Sequence, residues 1–277
     1  MQYILKIDCP DQKGLVHEIS GILFKFGLNI IENEEFVDHI NGHFFMRSEL
    51  IGELNRAEVF NKLNEFLPEN AQIQLHEKKK KNIIVLVTKE YHCIGDLLVR
   101  HQFGELKANI QAIISNHDYL KEFCEKFGLP FYHVSAEGME RKQHESKILG
   151  IINQYNPEYL VLAKYMRILT SDFTNNFDNK IINIHHSFLP AFIGAKPYAQ
   201  AYSRGVKLIG ATAHFVNDNL DEGPIITQEV IHTNHKNDAK MMSKSGRDVE
   251  KIVLSNALKL VFDDRVFVHN NKTIVFE

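Results

Sequence analysis

Asn183, His185 and Asp221 supply an amide, an imidazole and a carboxylate from two short segments. These are Asn183-Ile184-His185-His186-Ser187-Phe188-Leu189-Pro190 and Leu220-Asp221-Glu222-Gly223-Pro224, with His214 between them. An amide N–H can hold charge that develops on an oxygen, and an imidazole, neutral or cationic, can add a second donor. A carboxylate can orient that imidazole and raise its pKa, or receive the proton of an attacking water. The set suits attack on a carbonyl carbon. Singly, each residue also has a structural reading, since a strand-end histidine commonly serves as a hydrogen-bonded support and Asn or Asp as a turn former. Their conjunction is what points to chemistry.

These groups need a scaffold. Residues 180–186 read as a buried strand, because Ile181, Ile182 and Ile184 are β-branched and show no helical spacing. Strand side chains alternate between faces, so Asn183 and His185 are expected on one side and His186 on the other, with only one of the paired histidines in the pocket of Asn183. Pro190 stops the ladder. Polar residues at the carboxyl end of such a strand stand where open α/β sheets build their ligand crevices. Further strands are predicted at 83–87, 110–115, 131–134, 159–163, 208–216 and 225–231, with helical stretches between most of the early ones and a helix near 249–262. A closing hairpin is expected from 265–269 and 272–276 around Asn270-Asn271. Short apolar strands separated by helices imply a parallel sheet covered on both faces.

The run Glu77-Lys78-Lys79-Lys80-Lys81 separates this α/β segment from one of different rhythm. It stands alone without interleaved aromatics, so a solvated linker over 78–81 is expected rather than a nucleic-acid patch. Upstream, residues 1–77 read strand, helix, strand, strand, helix, strand. Leu15, Val16, Ile19, Ile22, Leu23 and Phe26 follow helical spacing and Gly27 supplies a stop. Asn41-Gly42 signals a tight hairpin, and a second helix over about 57–67 ends before Pro68. The order is that of a ferredoxin-like split βαβ unit.

Composition bounds the rest. A chain of 277 residues with 44% hydrophobic content holds one large or two modest cores. The net charge of −3 argues against binding driven by phosphate neutralisation, so no nucleic-acid partner is expected. Three widely spaced cysteines, Cys9, Cys93 and Cys124, fit a reducing, cytoplasmic compartment. The chain enters a strand-like Tyr3-Ile4-Leu5-Lys6-Ile7 without a basic region and apolar run, and no apolar stretch is long enough to span a bilayer. Neither secretion nor membrane insertion is therefore expected.

The ordered series N-I-H-H-S-F-L-P, G-A-K-P, G-A-T-A-H-F-V and L-D-E-G-P-I-I resembles the folate-dependent formyltransferase superfamily, and within it most closely the formyltetrahydrofolate deformylases. The likeness extends through Ala163-Lys164-Tyr165-Met166-Arg167-Ile168-Leu169 and Ser245-Gly246-Arg247-Asp248-Val249-Glu250. It implies a Rossmann-like formyltransferase-type domain at 82–277 with a mostly parallel sheet. The turn Asp11-Gln12-Lys13-Gly14-Leu15-Val16, with Asn29 after the first helix, resembles an ACT domain. The resemblance thus implies a regulatory domain at 1–77 with Asp11 and Asn29 as effector contacts for an amino acid, although Asp11 could equally cap the first helix. ACT-like edge strands also suggest a homo-oligomer.

The resemblance assigns the family's catalytic Asn, His and Asp to Asn183, His185 and Asp221, leaving open which of the last two is the general base. His214 is implied as a supporting contact, Met166, Arg167, Ile168 and Leu169 as a pterin-reading segment, and the loop at Asn217, Asp218 and Asn219 as closing over the folate. Arg167 could instead pair with a neighbouring acid. Although His185, His186, His214 and Asp221 are ligand types, strand alternation and the lack of H-E-x-x-H lead to the expectation of no metal and no other cofactor. Glycinamide ribonucleotide formyltransferases hold their acceptor's phosphate in a Gly-rich turn after the first sheet strand. Here the equivalent 88–96 lacks G-x-G and carries Glu90, so water is the expected acceptor. The implied reaction is hydrolysis of 10-formyltetrahydrofolate to formate and tetrahydrofolate, which supplies formate for purine synthesis and balances the folate pool. The alternatives are formyl transfer to an amine and a non-catalytic amino-acid-binding regulator. One departure is Ala199 before Gln200, where the deformylase pattern commonly has His after Lys-Pro-Tyr; it bears on rate and pH profile rather than on the reaction.

Overall fold

The computed structural model describes residues 1–191 and 197–277, so the Gly194-Ala195-Lys196 part of one motif lies outside the described residues. The chain divides into a unit of Met1–Lys79 with Phe276–Glu277 and a unit of Lys80–Val275.

The first unit runs β1 (Gln2–Pro10), α1 (Leu15–Lys25), β2 (Asn29–Asp38), β3 (His43–Ile51), α2 (Arg56–Phe66) and β4 (Gln72–Glu77), with antiparallel sheet order β2-β3-β1-β4. Leu15, Ile19, Ile22 and Leu23 bury the stripe of α1 against Leu5, Ile7 and Met46, and Gly27 at φ 71° releases the chain from the helix. Asp11 does not cap α1, because Gly14 holds that position. Strand β2 continues past Ile30 and Ile31 through Glu32, Glu34 and Glu35. Charge alone argues against such a strand. What admits it is Arg47 on β3, which is 1% exposed and lies 3.1 Å from Glu32 and 3.8 Å from Glu34.

The second unit runs β5 (Lys81–Val87), α3 (His92–Gln102), β6 (Ala108–Ser115), α4 (Lys121–Glu125), β7 (Phe131–His133), α5 (Arg141–Tyr155), β8 (Tyr159–Leu162), α6 (Ser171–Thr174) and β9 (Ile181–His185). There follow α7 (Pro197–Arg204), β10 (Leu208–Phe215), β11 (Ile225–His232), α8 (Ala239–Phe262), β12 (Val266–His269) and β13 (Lys272–Val275). Sheet order is β11-β10-β9-β8-β5-β6-β7, with β5 to β9 parallel and β10 and β11 added antiparallel. Along β5, Ile83, Val85 and Val87 join one core with α3 and α8, while Ile84 and Leu86 join another with Ile148 and Ile152 of α5. Burial on both faces is why residues 83–87 are apolar without interruption. The strand order reverses between β6 and β8 on either side of β5, so ligand crevices are expected at the carboxyl ends of β5, β8 and β9.

Two expectations are corrected here. Lys81 is not part of a solvated linker: it opens β5, is 4% exposed, and places Nζ 3.0 Å from a carboxylate oxygen of Asp264. Helix α8 begins at Ala239, ten residues before the predicted start, capped by Asp238, whose carboxylate accepts from the Met241 N–H at 2.7 Å. Gly246, inside this helix, fits a close contact: a Cβ at 246 would lie 2.0 Å from the Tyr198 hydroxyl oxygen.

Candidate active site

A cavity of about 330 Å³ opens beyond the carboxyl ends of β8 and β9. Its walls are the segment after β8, the end of β9, and the loop from Val216 to Asp221 that follows β10. A larger depression of about 410 Å³ lies between α3 and α8, but the ion pairs Asp96–Arg100 and Asp248–Lys251 occupy its acids and it carries none of the carbonyl-directed set.

The antiparallel register of β9 and β10 puts His214 directly opposite Asn183 and Thr212 opposite His185. A bulge at Ala213/His214 in the pairing with β11 marks the same point. His214 Nδ1 lies 2.8 Å from the Phe215 carbonyl, which only accepts, so Nδ1 carries the proton and Nε2 the lone pair. Nε2 accepts from Asn183 Nδ2 at 3.2 Å, leaving the second amide hydrogen of Asn183 uncommitted. Burial pushes the pKa of His214 down, which keeps that tautomer neutral.

Asp221 reaches His185 from the other side. Its Oδ1 accepts from His185 Nδ1 at 3.2 Å, and the two side chains are only 12% and 6% exposed. Burial alone would raise the Asp221 carboxyl; the His185 hydrogen bond and the surrounding imidazoles outweigh it and hold the group below its usual value. Asp221 adopts φ 58°, a left-handed conformation that Asp tolerates better than most residues. Gly223 lets the loop come this close, because a Cβ there would sit 1.8 Å from the Phe215 carbonyl oxygen. The Phe215 N–H in turn donates to the Pro224 carbonyl at 2.9 Å. His185 Nε2 is buried without a partner among the described residues, a condition that in native sites marks a group awaiting a reactant or water.

Strand alternation fails for His186. The strand ends at His185, so the pleat no longer dictates the next side chain, and His186 lines the same cavity with its ring centroid 5.1 Å from that of His185. Burial, Lys164 and His185 push its pKa down to about 4.

Met166, Arg167, Ile168 and Leu169 all line the cavity. The Thr88 hydroxyl donates to the Lys164 carbonyl at 2.7 Å and the Thr170 N–H donates to buried Glu145 at 3.0 Å, which ties both ends of the segment. Arg167 has no acidic partner within salt-bridge distance among the described residues. Asn217 lines the cavity too, although its amide also donates to Asn271 at 3.3 Å and its oxygen takes the Asn219 N–H at 3.1 Å. Ala199 is exposed on α7 and away from the cavity wall. In the other unit, Asp11 and Asn29 are both exposed, Asn29 at the first position of β2.

Sequence reasoning gave no role to a buried cluster beside the cavity. Lys164 Nζ lies 3.2 Å from Glu250 Oε2, His92 Nε2 lies 2.8 Å from the same oxygen, and the Tyr198 hydroxyl donates to Oε1 at 2.8 Å. Burial would raise Glu250, but the His92 hydrogen bond, the Lys164 charge and Tyr198 bring it down to about 2. His92, Cys93 and Glu250 have ligand atoms within 4.8 Å of one another, yet the Lys164 ammonium already occupies the cation position. Glu250 was visible as the last residue of Ser-Gly-Arg-Asp-Val-Glu, but only the fold brings Lys164 and Tyr198 to it. Among the described residues no helix is long and apolar enough to cross a membrane, and all three cysteines are free and buried.

Residues 81–258 match the formyl transferase family and residues 3–67 the ACT domain family. The chain is 55% identical over 272 residues to the formyltetrahydrofolate deformylase of Escherichia coli O6:H1, covering 98% of this chain and 97% of that one. It is 53% identical to that of Haemophilus influenzae, covering 98% of each. Its structure is similar to the crystal structure of a formyltetrahydrofolate deformylase from Pseudomonas syringae, with a TM-score of 0.95, 38% identity, and coverage of 100% of this chain and 95% of that one.

Proposed function

Since this chain belongs to the formyltetrahydrofolate deformylase family, we propose that Asn183, His185 and Asp221 carry out its hydrolytic step. The reaction is hydrolysis of 10-formyltetrahydrofolate to formate and tetrahydrofolate, which balances the one-carbon folate pool and provides formate for purine biosynthesis. The observation that carries the residue assignment is the pairing of His185 Nδ1 with Asp221 beside an Asn183 amide that has a hydrogen to spare.

With Nδ1–H committed to Asp221, the neutral His185 ring has its lone pair at Nε2 and acts as the general base. Water attacks the formyl carbon and its proton passes to Nε2. The charge developing on the formyl oxygen is held by the free Nδ2–H of Asn183. Asp221 stabilises the imidazolium and stays ionised. Collapse of the tetrahedral intermediate breaks the C–N bond, His185 returns its proton to the folate nitrogen, and formate leaves with one proton lost to solvent. This chemistry runs on side chains, with the folate as substrate and no separate cofactor.

His214 supports Asn183 rather than acting on substrate. The backbone of Met166, Arg167, Ile168 and Leu169 reads the pterin, and Asn217 borders the same ligand. At the ACT unit, Asp11 and Asn29 are assigned to an amino-acid effector, and pairing of its edge strands to self-association into a homo-oligomer. Free thiols at all three cysteines support a reducing, cytoplasmic setting. The test is to incubate the purified protein with 10-formyltetrahydrofolate and quantify formate and tetrahydrofolate, first alone and then with amine acceptors. Equal yields of both without an amine are expected; turnover only when an amine is added would overturn water as the acceptor.

A further inference from the structure

We propose that His186 is a further catalytic residue, whose neutral imidazole accepts a hydrogen bond from the attacking water while His185 takes that water's other proton. The proposal rests on the hydrolytic reading above and concerns what that reading leaves open, namely what holds the nucleophile. An amine acceptor arrives on a molecule that can be bound elsewhere along its length. Water has no such handle, so its orientation must come from protein groups that engage its two hydrogens and leave a lone pair facing the formyl carbon.

Three observations converge on His186. It lines the cavity that holds Asn183, His185 and Asp221. Its ring is 5.1 Å from the His185 ring, centroid to centroid, with 31° between planes, so the two imidazoles stand side by side on the wall of one cavity. Its ring nitrogens have no hydrogen-bond partner among the described residues, whereas His185 Nδ1 is committed to Asp221 and both nitrogens of His214 are engaged. The pair of neighbouring histidines therefore presents two acceptors in different states of commitment.

The surroundings explain why the two rings do different jobs. His185 has a carboxylate behind it, which stabilises the charge it gains. Behind His186 stands the Tyr198 ring, 6.3 Å away, whose hydroxyl is held by Glu250, and Glu250 is shared with the Lys164 ammonium. Burial, together with the cation on that side, lowers the pKa of His186 to about 4. A base that weak orients a water O–H without removing its proton. The proton balance is that of the hydrolysis already written: one hydrogen passes through His185 to the leaving nitrogen, and the other stays on oxygen until formic acid ionises.

The test compares wild type, His186→Ala and His186→Gln by single-turnover formate release, tetrahydrofolate affinity by calorimetry, and partition to hydroxylamine, whose attack yields formohydroxamate. Formate release in His186→Ala is expected to fall about a hundredfold or more with tetrahydrofolate affinity within about threefold. His186→Gln, whose amide oxygen still accepts, should recover about tenfold of that loss. In His186→Ala the ratio of formohydroxamate to formate should rise at least about tenfold, since the added nucleophile does not depend on the water's anchor. Formate release in His186→Ala within about fivefold of wild type overturns the proposal, as does an equal fall of both products in both variants. If wild type itself releases no formate without an amine, the hydrolytic reading is what fails.

Discussion

Replacing Asp221 by Asn tests the division of labour between carboxylate and imidazole. The substitution is nearly isosteric, and Asn tolerates the left-handed backbone at 221, so the loop is expected to keep its path. What disappears is a charge 3.2 Å from His185 Nδ1 in a pair that is 12% and 6% exposed. At an effective dielectric of about 20, the attraction between that carboxylate and an imidazolium amounts to about 5 kcal/mol. On the proposed mechanism His185 gains its charge only on taking the water's proton, so the loss falls on the transition state and hardly on bound substrate. The amide oxygen can still accept from Nδ1, which recovers about 1 to 2 kcal/mol. A net loss of about 3 to 4 kcal/mol corresponds to a fall in kcat of about two to three orders of magnitude with KM little changed. The assay is steady-state formate release across a range of 10-formyltetrahydrofolate concentrations, paired with tetrahydrofolate binding. A variant within about tenfold of wild-type kcat, or a loss confined to KM, would refute the role given to Asp221.

Other positions carry independent tests. Asn183→Ala removes the oxyanion donor and the partner of His214 Nε2, so kcat should fall about a hundredfold or more and chemical denaturation should show a stability loss of about 1 to 3 kcal/mol; unchanged turnover contradicts the first part. Gly223→Ala drives a Cβ to 1.8 Å from the Phe215 carbonyl oxygen, so the loop must shift. The expected cost is about 1 to 3 kcal/mol, read as a lower melting temperature together with loss of formate release, and a variant that keeps both shows that the loop accommodates the methyl group. Glu250 has its pKa brought down from 4.5 to about 2, so its stabilising contribution is complete above about pH 4.5 and disappears as pH falls toward 2. The stability gap between wild type and Glu250→Gln in urea should therefore hold steady from pH 7 to about 5 and narrow below that; a gap that widens on acidification would reverse the sign assigned to the cluster.

Much of the scaffold was legible because local signals and tertiary demands agreed. The strand ending at His185 was readable from its β-branched run, and the closing hairpin from Asn270-Asn271, which adopt φ 49° and 58° as a tight two-residue turn requires. Where tertiary contacts overrode local preference, the sequence misled. The glutamates of β2 run against strand preference and are held by the buried counter-charge of Arg47, and Gly246, a poor helix former, sits inside α8 where Tyr198 fills the space above it. Lys81 read as solvent-facing because its partner, Asp264, is remote in sequence. Of the site, Asn183, His185, His214 and Asp221 were legible as residue types at telling spacings. His186 was misread because the pleat was extended one residue beyond the strand's actual end, and Glu250 with Lys164 carried no local sign of their pairing.

The backbone of Phe215 acquires a wider meaning from its three neighbours. Its carbonyl accepts a hydrogen bond from His214, which in turn aligns Asn183; the same carbonyl crowds against Gly223; and its N–H fastens Pro224, two residues beyond the backbone of Glu222 and three beyond Asp221. The side chain that aligns Asn183 and the loop that carries Asp221 are thus fastened to one residue. A substitution that displaces the backbone at 215 is therefore expected to disturb the settings of Asn183 and Asp221 together rather than one at a time.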